Sequence, residues 1–178
     1  MDLRVQGPPP VLLDAEAVAQ CIERLADEIA PRVDDGVIAI ALLTGGLWFA
    51  ADITRALARR GKHLLFDALW LASYGDEHAS SGRVQVRAGL QRPVTGRRVL
   101  LLDDVFDSGL SLREAVRHLQ EAGAAEVLSA VFARKPWPAP RGTQPDFVGW
   151  EAPARYLVGY GMDSAGAWRG LPYVGVMD

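Results

Sequence analysis

The run from Val99 to Leu112, V-L-L-L-D-D-V-F-D-S-G-L-S-L, constrains the fold of this chain more than any other segment. Its apolar beginning is typical of a buried parallel strand, and two adjacent acids stand where that strand ends. A small, hydroxyl-rich turn follows and opens a helical pattern. This order predicts one unit of an open α/β sheet, in which ligands bind beyond the carboxyl ends of the strands.

The turn of this run predicts an anion site. Its backbone N–H groups are expected to point outward at the start of the helix, where unpaired donors and the positive end of the helix dipole attract an anion. The residues of the turn are Ser108, Gly109, Leu110 and Ser111. Asp103 and Asp104 are expected to accept hydrogen bonds from the vicinal hydroxyls of a sugar, so the run as a whole predicts a sugar-phosphate site. The alternative is an ordinary strand with solvated acids and a turn that only starts a helix.

Helical and strand patterns alternate along the rest of the chain. Asp14 is a good N-cap for an amphipathic helix that Pro31 ends. The predicted helices are 14–29, 47–60 and 111–122, and the predicted strands are 37–43, 64–72, 83–87, 99–102, 127–132, 147–150, 156–160 and 173–177. Periodicity alone leaves a helix open for 64–72. The alternation favours a mostly parallel, right-handed α/β sheet.

Composition excludes several classes of function. The chain is 49% hydrophobic and 23% charged, as in globular proteins, and no apolar run approaches the length that spans a bilayer. The N-terminus does not have the basic-then-apolar order of a secretory signal, so we expect a cytoplasmic protein without membrane contact. The net charge of −3 provides no basic field for a nucleic-acid partner.

The thiol and imidazole side chains predict no catalytic or metal site. The single cysteine, Cys21, lies on the apolar stripe of the first predicted helix, so we expect it to pack in the core. His63, His78 and His118 are scattered and have neither metal-ligand spacing nor a nucleophile partner. Because the net charge is negative, an anionic substrate must be met by local donors or a metal ion.

The run from Val99 resembles the phosphoribosyl-pyrophosphate (PRPP) signature of type I phosphoribosyltransferases, a hydrophobic strand, two acids and two apolar residues before D-[ST]-G and a hydroxyl. Beyond Lys135 the chain is similar to the hypoxanthine-guanine phosphoribosyltransferases. The matching segments are A-L-L-T-G-G, F-A-A-D, A-S-Y-G, the signature run, R-K-P, P-D-F-V-G-W-E, Y-L-V-G-Y-G-M-D and W-R-G-L-P-Y-V-G-V. The resemblance implies one domain over residues 1–178, with a mostly parallel central sheet flanked by helices and a small hood from the terminal segments.

The resemblance also implies which residues bind the two substrates. Lys135 takes the place of the lysine that reads the purine O6, and an ammonium, which only donates, suits a keto oxygen and disfavours adenine. Tyr156 matches the aromatic residue that stacks on the purine, and the Leu157 backbone and Asp163 match groups at the far edge of the base. Arg169 matches the arginine that holds pyrophosphate. Taken alone, Tyr156 would more often be core and Arg169 a surface charge, but their ordered spacing favours the site.

Two loops are expected to meet PRPP and its leaving group. At Thr44, Gly45 and Gly46 the missing glycine side chains let backbone amides approach an anion, which for PRPP is the pyrophosphate, although a lone Gly-Gly is often just a tight turn. Ser73 and Tyr74 resemble the closing loop that excludes water during transfer, with a plain surface hairpin as the alternative.

The implied reaction is attack of purine N9 on the ribose C1 of PRPP, with magnesium pyrophosphate leaving. Asp107 is the candidate general base, which takes up the proton that the purine loses and steadies the positively charged sugar. Asp103, Asp104 and Asp163 are the candidate Mg²⁺ ligands, because Mg²⁺ prefers oxygen.

Two positions depart from the family pattern. Asp103 stands where the purine-salvage family usually has glutamate, one methylene longer, so the ribose contact is expected to lengthen or to pass through water. Thr44 stands where many relatives carry a lysine that braces the pyrophosphate loop and a neighbouring subunit, which puts pyrophosphate affinity and the usual dimer contact in question.

The leading prediction is a purine salvage enzyme that forms IMP or GMP and pyrophosphate from PRPP and hypoxanthine or guanine, as a homo-oligomer, dimer or tetramer. One alternative is a transferase of the same fold that acts on xanthine or a pyrimidine. The other is a non-catalytic regulator of the fold that senses PRPP or binds RNA. The acidic net charge and the lack of a Lys/Arg-rich block disfavour the RNA-binding form.

Overall fold

The computed structural model describes residues 7–73 and 84–177, and its largest element is a six-stranded sheet. Three α-helices and a short 3-10 helix, Ala30–Arg32, accompany the strands in this part of the chain. The helices are α1 (Ala15–Ile29), α2 (Gly46–Arg59) and α3 (Leu110–Glu121). The strands are β1 (Val11–Leu13), β2 (Ile38–Leu43), β3 (Leu65–Ser73), β4 (Val84–Ala88), β5 (Arg98–Phe106), β6 (Glu126–Arg134), β7 (Phe147–Glu151), β8 (Tyr156–Val158) and β9 (Val174–Met177).

The strand order of the large sheet is β4-β3-β2-β5-β6-β7. Strand β2 runs parallel to both β3 and β5, and β5, β6 and β7 continue the parallel pairing. In this sheet β4 alone pairs antiparallel, along the outer side of β3, and its side chains from Val86 to Ala88 are all exposed. The predicted mostly parallel α/β sheet is confirmed, and residues 64–72, for which periodicity left a helix open, are a strand.

Alternate side chains of β2 explain why helices cover both faces of the sheet. Ala39 and Ala41 pack into a core with α1 and α2, whereas Ile38 and Ile40 pack into a second core with α3. A strand buried on both faces has no polar side to alternate with, so its sequence reads as an unbroken apolar run.

The order of the strands also determines where a ligand crevice forms. From β2 the chain passes through α2 to β3 on one side, whereas from β5 it passes through α3 to β6 on the other side. The two helices therefore leave the sheet on opposite faces. In open α/β sheets the gap between the carboxyl ends of two such strands is the usual ligand site.

A smaller antiparallel sheet of order β1-β9-β8 joins the two terminal segments, as the predicted hood requires. The sequence predicts no element before Asp14 and so misses β1, because the register of this strand comes from long-range pairing of Val11 with Gly175. The predicted strand 156–160 ends early, at Val158, because Gly159 and Tyr160 turn the chain with φ of 90° and 45°.

No helix within residues 7–73 and 84–177 is long and apolar enough to cross a membrane. The expected cytoplasmic location stays a prediction. Cys21 is partly buried against the core that contains α1 and α2, in line with its expected packing role.

Candidate active site

A crevice with two adjoining cavities lies at the carboxyl ends of β2 and β5. One cavity has a volume of about 300 Å³ and is lined by the end of β2, by Gly45 and by Ser111. The other, of about 180 Å³, is lined by Lys135, Tyr156 and Leu157. Both cavities are also lined by Asp104, Val105, Asp107 and Asp163. The crevice therefore offers two compartments that share one wall of carboxylates.

The paired acids Asp103 and Asp104 lie within β5, which continues past them to Phe106. Both are buried, 7% and 8% exposed. Burial, and then the negative charge of Asp104, raises the pKa of Asp103 well above its usual range. Burial also raises the pKa of Asp104, although hydrogen bonds from the Asp103 side chain and the Val105 amide and the positive charge of Arg169 oppose the increase. The pair is thus held in an unfavourable environment that a cation or a donor-rich ligand would relieve.

The turn for which the sequence predicts anion binding leads directly into a helix. Helix α3 begins at Leu110, and Gly109 caps it in the left-handed conformation with a φ of 81°. The first four N–H groups of a helix have no partner within the helix, so the amides at this end are free for an anion, apart from a long contact of 3.4 Å from the Leu110 N–H to Ser108 Oγ. Ser111 also lines the larger cavity.

The Thr44-Gly45-Gly46 loop closes tightly on the acids. A Cβ at Gly45 would lie 2.1 Å from Asp104 Oδ2, and a Cβ at Gly46 would lie 2.7 Å from the backbone oxygen of Leu102. Only glycine allows these approaches without displacement. Gly45 lines the larger cavity, whereas Gly46 packs behind it against β5 and Thr44 is exposed at the start of the turn. The peptide bond between Leu43 and Thr44 is cis.

Asp107 and Lys135 meet at one edge of the smaller cavity. Lys135 Nζ lies 3.3 Å from Asp107 Oδ2, and the ammonium side chain is 17% exposed while the carboxylate is 46% exposed. The two residues follow the neighbouring parallel strands β5 and β6 directly. Adjacent strand ends thus bring a proton acceptor and a hydrogen-bond donor to one edge of the cavity.

The hood supplies the opposite wall. Tyr156 is 52% exposed, and its hydroxyl donates to the backbone oxygen of Asp163 at 3.1 Å. The Asp163 carboxylate pairs with Arg169 at 2.6 Å, and Arg169 also donates to the Gly161 carbonyl oxygen at 2.5 Å. Gly161, with a φ of 100°, lies so close to the glycine loop that a Cβ there would be 2.2 Å from the Gly45 oxygen. Arg169, which lines the larger cavity, is therefore held by two groups of the hood.

The oxygen donors of the crevice fit a magnesium ion of the kind that stays bound largely through substrate phosphates. No group of three or more His, Cys, Asp or Glu side chains that could hold a metal occurs in the described part of the chain. Asp103, Asp104 and Asp163 nevertheless line one cavity, and Mg²⁺ commonly takes one or two carboxylates and completes its shell with phosphate oxygens and water. The buried acid pair is the kind of donor set that such an ion would stabilise.

Some predicted residues are not assembled, and others were missed. Ser73 is the last residue of β3, but Tyr74 lies outside the described residues, so the closing loop stays a prediction. Sequence reasoning missed Leu71, which lines the larger cavity, and Arg141, whose guanidinium contacts the backbone of Asp107 and Lys135. Neither had a motif to mark it, because an apolar strand residue and an arginine in a Pro-rich loop are common.

A third cavity, of about 410 Å³, lies outside the crevice, between α1, α2 and the hood. Asp52 and Tyr160 form a hydrogen bond of 3.0 Å at its wall, but none of the paired acids or anion-binding amides lines it. The paired acids and the amides at the start of α3 thus belong to the crevice at the strand ends, although the cavity between the helices and the hood has the greater volume.

Comparisons with known proteins agree with this geometry. The family model described as the phosphoribosyl transferase domain matches residues 11–164. The hypoxanthine-guanine phosphoribosyltransferase of Bacillus subtilis is 33% identical over 168 residues, which cover 94% of this chain and 92% of the relative. That of Mycobacterium avium is 33% identical over 177 residues, covering 94% of this chain and 85% of the relative. A crystal structure of a hypoxanthine phosphoribosyltransferase from Staphylococcus aureus, 24% identical, superposes with a TM-score of 0.86 and covers 94% of this chain and 90% of that one.

Proposed function

This chain belongs to the phosphoribosyltransferase family, and we propose that it transfers the 5-phosphoribosyl group of PRPP to N9 of hypoxanthine or guanine, with release of pyrophosphate. The observation that carries the proposal is the crevice of two compartments with a shared carboxylate wall. The larger compartment suits a sugar bearing phosphates, and the smaller one suits a planar base with a keto oxygen. A transferase binds both substrates side by side, because the reaction between two bound substrates is effectively unimolecular and avoids the entropy cost of a bimolecular encounter.

The larger compartment binds PRPP. The amides at the start of α3, from Ser108 to Ser111, hold its 5-phosphate, and Asp103 and Asp104 accept hydrogen bonds from the ribose hydroxyls. The glycine loop and Arg169 hold the pyrophosphate, for which the planar fork of an arginine is well shaped. The Asp163 carboxylate at 2.6 Å keeps this guanidinium in place before the substrate arrives.

The smaller compartment binds the purine. Tyr156 stacks on the ring, the Leu157 backbone and Asp163 border its far edge, and the Lys135 ammonium donates to the keto oxygen O6. Asp107 accepts the proton that the purine loses at N7 as N9 bonds to C1 of the ribose. Its negative charge also stabilises the positive charge that develops on the sugar as pyrophosphate leaves.

Magnesium is the metal that this site is proposed to use. Asp103, Asp104 and Asp163 are the side chains that would hold it, together with oxygens of the substrate. When bound, the ion would neutralise negative charge on the departing pyrophosphate. The protein's own residues orient the ribose hydroxyls and the phosphates around it.

An exposed apolar face of β3 supports the proposed homo-oligomer. Phe66 and Trp70 are 42% and 39% exposed, and they stand on one face of the strand because side chains alternate with a period of two. Leu47 at the start of α2 is also 41% exposed. Such apolar side chains are suited to burial against a second copy of the chain. Light scattering of the purified protein tests this, and a monomer at micromolar concentration would contradict it.

One assay tests the reaction and its specificity together. The protein is mixed with PRPP, Mg²⁺ and one base at a time from hypoxanthine, guanine, xanthine, adenine, uracil and orotate, and nucleotide and pyrophosphate formation are followed. We expect product with hypoxanthine and guanine and little with adenine, because Lys135 donates and does not accept. A preference for xanthine would indicate a xanthine phosphoribosyltransferase of the same fold. The absence of product with every base would refute the enzymatic function.

A further inference from the structure

Arg141 joins the two loops that carry Asp107 and Lys135. Its Nη1 donates to the backbone oxygen of Asp107 at 2.7 Å and to that of Lys135 at 2.9 Å, and it makes a longer contact of 3.4 Å with the Phe106 oxygen. These three carbonyls belong to the ends of two neighbouring parallel strands, so one guanidinium nitrogen bridges both strand ends.

The same guanidinium is held from a second side. Its central carbon lies 4.2 Å from the centre of the Phe106 ring, within the range of a cation–π contact. Phe106 is buried, at 1% exposed, so the ring is a fixed surface and the charge above it is partly shielded from water. The position of Nη1 is therefore set by the ring below it and by the carbonyls around it.

One further hydrogen bond links the two loops directly. The Lys135 N–H donates to the Phe106 oxygen at 3.0 Å. Gly109 packs on the same pair, because a Cβ there would lie 3.0 Å from the Phe106 ring and 3.6 Å from Arg141 Cβ. The anion-binding turn thus packs on the Phe106 ring and on the Cβ of Arg141, and not on the guanidinium group.

The side chains of Asp107 and Lys135 face one cavity and are 3.3 Å apart. In the proposed function they contact N7 and O6, two neighbouring atoms on one edge of a rigid purine. Their spacing must match that edge, and it depends on the relative position of the two loops, which the side chain of Arg141 holds together beside this half-buried ion pair.

We propose that Arg141 is a positioning residue for the purine edge, which holds Asp107 and Lys135 at the spacing that N7 and O6 of a 6-oxopurine require. The proposal rests on the proposed function for its substrate. The effect of Arg141 on the two loops does not depend on the substrate, so it can be measured by hydrogen exchange without turnover.

Arg141→Met tests the proposal, because methionine keeps apolar contact with Phe106 and removes every donor. We expect KM for hypoxanthine or guanine to rise at least 10-fold and kcat to fall, while KM for PRPP stays within 2-fold. Arg141→Lys, which restores donors without the planar stack, is expected to recover part of the purine KM. The matched control is Arg117→Met on α3, which should behave as wild type: the Arg117 side chain is 54% exposed and, within the described part of the chain, its ion pairs are with the helix residues Glu114 and Glu121 alone.

Hydrogen exchange supplies the readout that does not need activity. The Lys135 amide should exchange at least 10-fold faster in Arg141→Met, while core amides of β5 and β6 exchange as in wild type. Equal changes in both KM values, with faster exchange throughout the core, would show a purely structural role and overturn the proposal. An unchanged purine KM would also overturn it, and so would an unchanged exchange rate of the Lys135 amide. If Arg141→Met does not fold, the test is made with Arg141→Lys, in which KM for the purine should rise more than KM for PRPP.

The two proposals can fail separately. If the wild-type protein makes no nucleotide from any base, the proposed function fails, and hydrogen exchange at Lys135 still shows whether Arg141 holds the two loops together. If wild type is active and the purine KM of Arg141→Met is unchanged, only the positioning role fails.

Discussion

Asp107 lies where the two compartments of the crevice meet, and its carboxylate is half exposed beside the Lys135 ammonium. Replacing it with asparagine keeps the size of the side chain and removes the proton acceptor. We expect Asp107→Asn to lower kcat by about 10²–10⁴-fold, the usual contribution of a general base, while PRPP binding changes little. Steady-state kinetics together with calorimetric titration of PRPP measure the two effects.

A surface carboxylate provides the control for this variant. Asp34 is 83% exposed and contacts only Arg98, at 3.5 Å, among the ion pairs of the described chain, so Asp34→Asn should leave both quantities unchanged. Loss of PRPP affinity as large as the loss of kcat in Asp107→Asn would refute the role of base.

Asp103 makes a prediction about pH. Because its pKa is raised in the folded chain, the folded state binds this proton more tightly than the unfolded state does. The stability that the proton confers is present at low pH and is lost as the pH rises through the folded-state pKa. Asp103→Asn, which is neutral at every pH, should therefore gain stability relative to wild type as the pH rises, so the Tm of the variant should increase relative to that of wild type.

Thermal melts of wild type and Asp103→Asn between pH 5 and pH 9 measure this gain. The variant should also lose the stabilisation that Mg²⁺ and PRPP give to wild type, since the amide does not replace a carboxylate toward the ion. A Tm difference that is constant across the pH range would show that the acid pair does not titrate as inferred.

The loop between β2 and α2 makes a prediction at the scale of an element. A Cβ at Gly46 meets backbone of β5, which cannot swing aside, so Gly46→Ala should shift α2 and cost about 1–3 kcal/mol. A Cβ at Gly45 meets the Asp104 side chain, so Gly45→Ala should fold and lose PRPP affinity as the carboxylate is displaced.

Chemical denaturation and PRPP titration separate the two glycine variants. Gly89→Ala is the control, because nothing lies within 4 Å of a Cβ there, and it should match wild type or be slightly more stable. Full stability of Gly46→Ala would mean that α2 and β5 are less tightly packed than the structure indicates.

The helices and the buried strands could be predicted because their signals are local. Asp14 accepts a hydrogen bond of 2.8 Å from the Ala17 N–H, as an N-cap must, and Gly123, with a φ of 87°, follows the end of α3. Strand β1 could not be predicted, because three residues after a proline run have no periodicity and pair only through β9. Secondary structure that depends on a distant partner has no signature in its own sequence.

At the scale of the whole molecule, binding of magnesium PRPP should stabilise the folded chain. The crevice exists only when β2, β5 and the hood are assembled, so the ligand binds the native state alone. At a PRPP concentration of 100 times Kd we expect about 2.7 kcal/mol of stabilisation, which is an increase in Tm of about 5–10 °C. Differential scanning calorimetry measures this shift in Tm, and removal of Mg²⁺ with EDTA should abolish most of the shift. An equal shift with and without the ion would argue against the proposed use of magnesium.

The order of residues along the chain determined the chemistry available to this protein. Strand, acid pair, glycine turn and helix follow one another between Val99 and Leu112, and their properties are local, so the sequence alone predicts an anion site beside two carboxylates. The tertiary structure decided which groups face each other. It placed Lys135 against Asp107, Gly161 against Gly45 and Arg141 across two strand ends, because such contacts depend on strand order and on the close approach of loops distant in sequence. Residue types carry the reactivity, and the packing of the sheet and hood sets the distances over which it acts.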